Sequence, residues 1–257
     1  MIFEPKIEQS AIIGDQVILG NNNYVGHNTI IKGKVIIGDN NYIGSNVIIG
    51  EFTQHSFNKY ELNGYEPIIK NRKVIIGSKN VLREFTTVHQ PMNEITAIKD
   101  NCYIMAYNHI PHDAIIENNV ILANNIQIGG HTYIHKHANI GLSSVIHQKT
   151  TIGAYSMVGM GSIITKDILP FLTVVGSPAK FNNKINEWGM MRYGINQEET
   201  DLVNSIYFNK KYSKDDLLKQ GEILSILSKF YNEHRRNCIS INEIVDKNLP
   251  QMIKDLA

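Results

Sequence analysis

An aliphatic residue recurs at every sixth position through most of this chain, and few folds can accept that period. Ile7, Ile13, Leu19, Val25, Ile31, Ile37, Ile43 and Ile49 form one run, and Ile98, Ile104, Ile110, Ile116, Leu122, Ile128, Ile134, Ile140, Ile146, Ile152, Val158 and Ile164 form a second. Six matches neither the 3.6-residue period of a helix nor the alternation of a free strand. It is the signature of a parallel β-solenoid, in which each hexad supplies a short strand and a turn. The aliphatic side chain is expected to point inward. Glycines such as Gly14, Gly20 and Gly26, and the pairs Asn40-Asn41, Asn118-Asn119 and Asn124-Asn125, suit the corners, where positive φ is often needed. Small or β-branched residues four positions after the aliphatic (Ala11, Val17, Thr29, Val35, Val47) fill the rest of the interior.

The register breaks twice. Residues 51–75 carry no repeat, and Val88 and Ile98 stand ten apart, so about four residues near Gln90-Pro91-Met92-Asn93 loop out. Insertions in solenoids tend to lie on one face and often build the binding site. After Pro170 the repeat ends, and Gly176-Ser177-Pro178 breaks the chain. Three or four helices are expected from about residue 181. Ser213-Lys214-Asp215-Asp216 and Ser240-Ile241-Asn242-Glu243 read as capping boxes, and Leu217, Leu218, Ile223, Leu224, Leu227 and Phe230 as one apolar helical face. The domain expectation is a β-helix over 1–176 and a small helical domain over 177–257.

Composition narrows the partners. A formal net charge of +1 in 257 residues offers no bulk attraction to nucleic acid or an anionic membrane. No apolar run approaches a membrane span. The two cysteines, Cys102 and Cys238, cannot alone build a disulfide framework or a four-ligand zinc site. The N-terminal residues lack a basic-then-apolar leader pattern, and a cytoplasmic location is expected.

Three hexads to a coil bring residues 18 apart into one column, with neighbouring strands about 4.8 Å apart. Asp113, His131 and Lys149 share such a column, His112 precedes Asp113, and Gly129-Gly130 lies on the middle coil beside His112. His27, His55, His89, His135, His137 and His234 fall outside it. Clustered histidines are compatible with a metal, but a lysine in the column disfavours one, and no metal is expected. His112 suits a general base, with Asp113 stabilising the imidazolium. The Gly129-Gly130 amides can approach and hold a developing oxyanion because no Cβ obstructs them. No Gly-x-Ser-x-Gly elbow, P-loop or Gly-x-Gly-x-x-Gly motif is present.

Several motifs carry a resemblance to a known family. Asn108-His109-Ile110-Pro111-His112-Asp113, Ile121-Leu122-Ala123-Asn124-Asn125, Gly129-Gly130-His131 and Val145-Ile146-His147-Gln148 follow the motif series of the UDP-N-acetylglucosamine O-acyltransferases of lipid A synthesis. Ile76-Gly77 and Leu82 through His89, Gly50-Glu51, and Gly64-Tyr65-Glu66-Pro67 also resemble segments of that family. So does a tail with Asn186, Gly189, Arg192 and Gly194.

The resemblance implies a trimeric left-handed β-helix with sites in clefts between subunits. It makes His112 the base, Asp113 its orienting partner and Gly130 the oxyanion donor. Gln54, His55, His109, His131, His147 and Gln148 would line the sugar and thioester cleft, with Asn186 and Arg192 near the nucleotide or carrier arm. The co-substrate would be an acyl carrier protein or coenzyme A thioester, with no tightly bound cofactor. The acceptor would be a nucleotide-linked sugar.

The chain departs from the family in places. His55 stands where the family has Asp, and His89-Gln90-Pro91-Met92 replaces His-Arg-Gly-Thr. Leu142 replaces the second Gly of a Gly-Gly pair and would shorten the acyl groove. Gly176-Ser177-Pro178-Ala179-Lys180 is more like acetyl-coenzyme A-dependent hexapeptide transferases. N-acylation of a nucleotide-linked amino sugar from a coenzyme A thioester, for surface polysaccharide synthesis, is therefore the alternative. A catalytically idle scaffold and a carbonic-anhydrase-type metal solenoid are the readings from other classes.

Overall fold

The structure is a computed structural model that describes residues 4–54, 72–209, 212–233 and 249–256. Three hexads make each coil, and the strands of successive coils stack into three sheets of ten, eight and seven strands, parallel but for the last strand of the largest. Tyr24 pairs with Tyr42 and Ile30 with Ile48, each 18 positions on. The two insertions stretch that spacing: Tyr42 pairs with Val81, and Thr87 with His109, with one register shift between Val88 and His89 where they pair with Ile49 and Glu51. The architecture is the expected left-handed parallel β-helix followed by helices.

The aliphatic ladder fills the interior. Val25, Ile31, Ile43, Ile104, Ile110, Ile140 and Ile164 are fully buried, so removing one such side chain to Ala costs about 2–5 kcal/mol. Ile7, expected to point inward, is half exposed; it sits on the first coil, with no described coil beneath it. Buried Asn side chains run up one edge: Asn23 accepts from the Asn41 amide, Asn41 from Asn80, and Asn80 from Cys102. Each carbonyl thereby satisfies a backbone donor of the next coil that no strand pairing reaches.

Corner conformation and close approach fall to different residues. Positive φ falls on Asn22, Asn28, Asn40, Asn46, Asn119 and Asn125, not on the hexad glycines Gly14, Gly20 and Gly26. Those glycines serve close approach instead. A Cβ on Gly26 would stand 2.6 Å from the backbone of Gly44 in the next coil.

The solenoid runs past Pro170. Ile152 bridges Ile168, and Leu172–Val175 pairs in parallel with Met157–Val158. Lys180–Ile185 then turns back antiparallel and closes that sheet. This strand occupies residues where helix was expected from about 181, and the helices begin at 187. They are α1 (Glu187–Arg192), α2 (Gln197–Asn204, running into the π-helical turn Ser205–Asn209), α3 (Lys214–Lys219), α4 (Gly221–Glu233) and α5 (Leu249–Leu256). Five α-helices are thus present among the described residues, where three or four were expected.

The Ser213 capping box is formed, and Asn196 and Glu199 form another. The Ser240 box and Cys238 lie outside the described residues. Leu217 is buried while Leu218 is exposed: the two are neighbours in α3, about 100° apart around the helix, so they do not share one face.

A buried carboxylate fastens α4 to the solenoid. Glu117 accepts from the Tyr133 hydroxyl at 2.7 Å, the Lys136 amide at 3.0 Å and Lys99 at 3.2 Å, and it also receives Lys229 of α4. His135 lies beside it, with Nδ1 3.6 Å away. Burial pushes the Glu117 carboxyl up, but His135, Lys229 and Tyr133 outweigh that and hold it far below the ordinary glutamate range.

Candidate active site

The column read from the 18-residue spacing exists. Asp113, His131 and Lys149 all take left-handed φ, and the His131 and Lys149 amides donate to the carbonyls of His112 and Gly130 one coil below. His112 Nδ1 lies 2.9 Å from Asp113 Oδ2. The Asp113 carboxylate also accepts the Met92 amide at 3.0 Å and the Asn93 amide at 2.8 Å. Its own amide donates to Thr96 Oγ1 at 2.9 Å. The four-residue insertion therefore works as a clamp that holds the acid from the coil below.

Burial pushes the Asp113 carboxyl up, but the His112 hydrogen bond and the Asn93 and Met92 amides outweigh it, and the group titrates below the usual aspartate range. An ionised carboxylate only accepts, so His112 donates from Nδ1 and its Nε2 lone pair is the basic one.

Gly130 decides where the imidazole lies. A Cβ on this residue would stand 2.4 Å from His112 Cε1 and 2.5 Å from Nε2, so only glycine admits the ring. Gly130 N–H has no hydrogen-bond acceptor among the described residues. A basic nitrogen and an available donor thus flank one point. The His131 ring packs edge-on to His112 with centroids 5.0 Å apart, and its Nε2 is 3.8 Å from Asp113 Oδ2.

Ligand atoms of His112, Asp113 and His131 lie within 4.8 Å of one another, the donor set a divalent ion would also require. Asp113, however, already accepts three N–H groups, and that occupancy favours the base reading.

Beside this column the outward face of the eight-stranded sheet forms a groove of about 410 Å³. Gln54, Thr87, His109 and Gln127 line it, with Phe85, Tyr107, Asn108 and Asn125. Two expected cleft residues, Gln54 and His109, therefore meet. His109 Nδ1 lies 3.0 Å from Thr87 Oγ1. Burial, with His89 and His112 nearby, lowers its pKa to about 4, so it is neutral near pH 7.

His89 falls outside the catalytic column by spacing, yet it is buried with its ring centroid 5.1 Å from that of His109. Its Nδ1 is 2.8 Å from the Phe52 carbonyl, and burial lowers its pKa. The signal was available in the sequence: His89 follows Val88, which pairs with Ile110, and it immediately precedes the clamp loop.

His147 and Gln148 are exposed one coil above Gly129-Gly130, with His147 Nδ1 3.1 Å from the Gln148 carbonyl. His55 and the Gly64-Tyr65-Glu66-Pro67 stretch lie outside the described residues.

Asn186 and Arg192 are not brought to His112 within one chain. Asn186 caps α1, accepting from Gly189 and donating to the Tyr155 carbonyl. Arg192 stacks over Trp188 and Tyr193. Tyr193 packs on His137 and Tyr155 at a different corner column.

Residues 16–51 match the family described as bacterial transferase hexapeptide (six repeats). The three-sheet coil of hexads agrees with that description. Within it, the resemblance drawn from the motifs is borne out by individual proteins. The acyl-[acyl-carrier-protein]–UDP-N-acetylglucosamine O-acyltransferase of Burkholderia orbicola (strain MC0-3) is 41% identical over 138 residues, 52% of each chain. That of Alkalilimnicola ehrlichii is 36% identical over 155 residues, 58% of this chain and 60% of its own. The chain thus spans little more than half the length of these curated relatives. The solved structure of a UDP-N-acetylglucosamine acyltransferase from Campylobacter jejuni superposes with a TM-score of 0.73 at 28% identity, over 91% of this chain and 99% of its own.

Proposed function

We propose that the protein is an acyltransferase that moves an acyl group from an acyl carrier protein thioester to a hydroxyl of UDP-N-acetylglucosamine. The observation that carries this reading is the His112–Asp113 pair seated on Gly130, with the ring's basic edge against a glycine whose N–H is available. The names of the relatives support the donor and the acceptor.

His112 Nε2 takes the hydroxyl proton as the oxygen attacks the thioester carbon. Asp113 stabilises the imidazolium, and Gly130 N–H donates to the oxyanion. The carbon–sulfur bond then breaks, and the imidazolium returns its proton to the departing thiolate. His131, His147 and Gln148 flank this point, and Gln54 and His109 take the sugar side. Leu142, nearly half exposed one coil above Ala123-Asn124, narrows the path of the acyl chain. No tightly bound cofactor takes part.

On this reading the working unit is a cytoplasmic homotrimer: the groove is open on one side, and Asn186 and Arg192, held away from His112 within one chain, would meet a site only across a subunit boundary. No helix among the described residues is long and apolar enough to cross a membrane. Light scattering checks the assembly: a stable, active monomer would refute the shared-site arrangement.

A donor-by-acceptor screen tests the reaction. Carrier-protein and coenzyme A thioesters are crossed with UDP-N-acetylglucosamine and with UDP- and dTDP-linked amino sugars. Turnover is expected with the carrier-protein thioester and UDP-N-acetylglucosamine. Turnover only with coenzyme A thioesters and amino sugars would replace O-acylation by N-acylation.

A further inference from the structure

One corner column carries two residues that its geometry disfavours. Asn28, Asn46, Phe85, Tyr107, Asn125, Ser143 and Gly161 succeed one another coil by coil, each amide bonded to the coil below, that of Asn28 to the Ser10 hydroxyl and the others to backbone carbonyls. All take left-handed φ between 55° and 66°. Asn, Ser and Gly suit that conformation; a bulky aromatic there costs on the order of 1–2 kcal/mol. Phe85 and Tyr107 nevertheless occupy adjacent coils. Their rings lie parallel, centroids 4.9 Å apart and 5° between planes, and both are about half exposed.

A second corner column offers a comparison within the same molecule. Tyr155 and Phe171 also stack at left-handed corners, but both are buried, and Asn186 at the head of α1 bonds to both their carbonyls. There the aromatic pair anchors the helical segment. Among the described residues nothing covers Phe85 and Tyr107. They wall the groove that contains His109, three positions from His112.

We propose that Phe85 and Tyr107 form a stacking shelf that holds a ring face of the nucleotide-linked acceptor, a role that rests on the acceptor assigned above. The lining favours the acceptor over the thioester arm. Gln54, Asn125 and Gln127 line the groove beside the shelf, with Gln127 Nε2 3.4 Å from Asn125 Oδ1, and their amides suit the carbonyl, N–H and hydroxyl groups on a base or sugar edge. A linear arm offers no ring face to stack. Two rings of the acceptor could use the shelf, the base or the pyranose, and the same chemistry serves either.

The test replaces Phe85 and Tyr107 by Asn, singly and together. Asn is the residue this column uses at neighbouring coils, so the backbone remains at ease. Calorimetric titration with UDP-N-acetylglucosamine and with UDP is run on wild type and variants, alongside light scattering, thermal unfolding and steady-state kinetics. Stacking contributes about 1–3 kcal/mol per base in comparable sites, so each variant is expected to weaken UDP-N-acetylglucosamine about fivefold or more. The KM for the carrier-protein thioester should not change, and Tyr107→Phe should bind like wild type. Equal losses for UDP and UDP-N-acetylglucosamine identify the base as the stacked ring, and a loss confined to the latter identifies the sugar.

Unchanged affinity in the double variant overturns the shelf. So does a change of oligomeric state, which would make the pair a contact between copies of the chain. If wild type binds neither compound, the assigned acceptor itself fails and the shelf with it.

Discussion

His112 and Asp113 are sequence neighbours whose side chains meet at 2.9 Å because Asp113 holds a left-handed backbone, φ 58°. In an ordinary strand successive side chains point to opposite faces. The corner turns the second residue back toward the first, and the Met92 and Asn93 amides fix the carboxylate there.

Removing the base should therefore leave the fold alone. His112 sits outside the aliphatic interior, so His112→Ala is expected to assemble normally and lose at least about a hundredfold in kcat, within the usual range for a general base. Asp113→Asn should also slow turnover, because its amide can donate to Nδ1 and favour the wrong tautomer. Circular dichroism and steady-state kinetics read both. Full activity of His112→Ala on every acceptor would move the base to His131.

Gly130→Ala probes the seat of the ring. A methyl group 2.4–2.5 Å from the His112 ring must displace it, while the coil backbone is unaffected. Loss of kcat comparable to His112→Ala is expected, with little change in thermal unfolding. Wild-type kcat would show that the ring's position against this glycine is immaterial.

Glu117 predicts a pH-dependent attachment of the helices. Its folded pKa is depressed, so its contribution is present above the unfolded glutamate pKa of about 4.3 and is lost as pH falls toward the folded value. Glu117→Gln should cost about 1–3 kcal/mol at pH 7, the range for disrupting a buried hydrogen-bonded group, and the difference from wild type should shrink in acid. Denaturant unfolding across pH 3–8 measures this. A pH-independent difference would mean that packing of α4, not the charge network, is what the substitution disturbs.

Leu142 sets the fourth expectation. Its bulk should favour acyl chains shorter than a long hydroxyacyl group, and Leu142→Gly should shift the optimum upward. A turnover series over acyl length decides it, and best activity of wild type with long hydroxyacyl chains would remove Leu142 from the groove.

The repeat period alone determined the solenoid, the coil length and the Asp113–His131–Lys149 column, because hexads stack with a fixed register and an inward aliphatic at every turn leaves no other arrangement. The His112–Asp113 pair and the Gly130 contact were legible for the same reason. What the period does not encode is where an insertion folds back. The clamp of Met92 and Asn93 on Asp113, and the burial of His89 against His109, depend on loop closure between coils and appear only in three dimensions.

The closing strand lies beyond the reach of the repeat on similar grounds. Lys180–Ile185 lacks the hexad pattern yet forms a strand, because the last coil's edge offers unpaired backbone groups that an antiparallel return satisfies. Leu218 and Ile7 show the same limit: periodicity assigns a face, but neighbouring chain decides whether that face is covered. Asn186 shows it most plainly: within the chain its side chain caps α1 and bonds the Tyr155 carbonyl, contacts that no repeat period encodes.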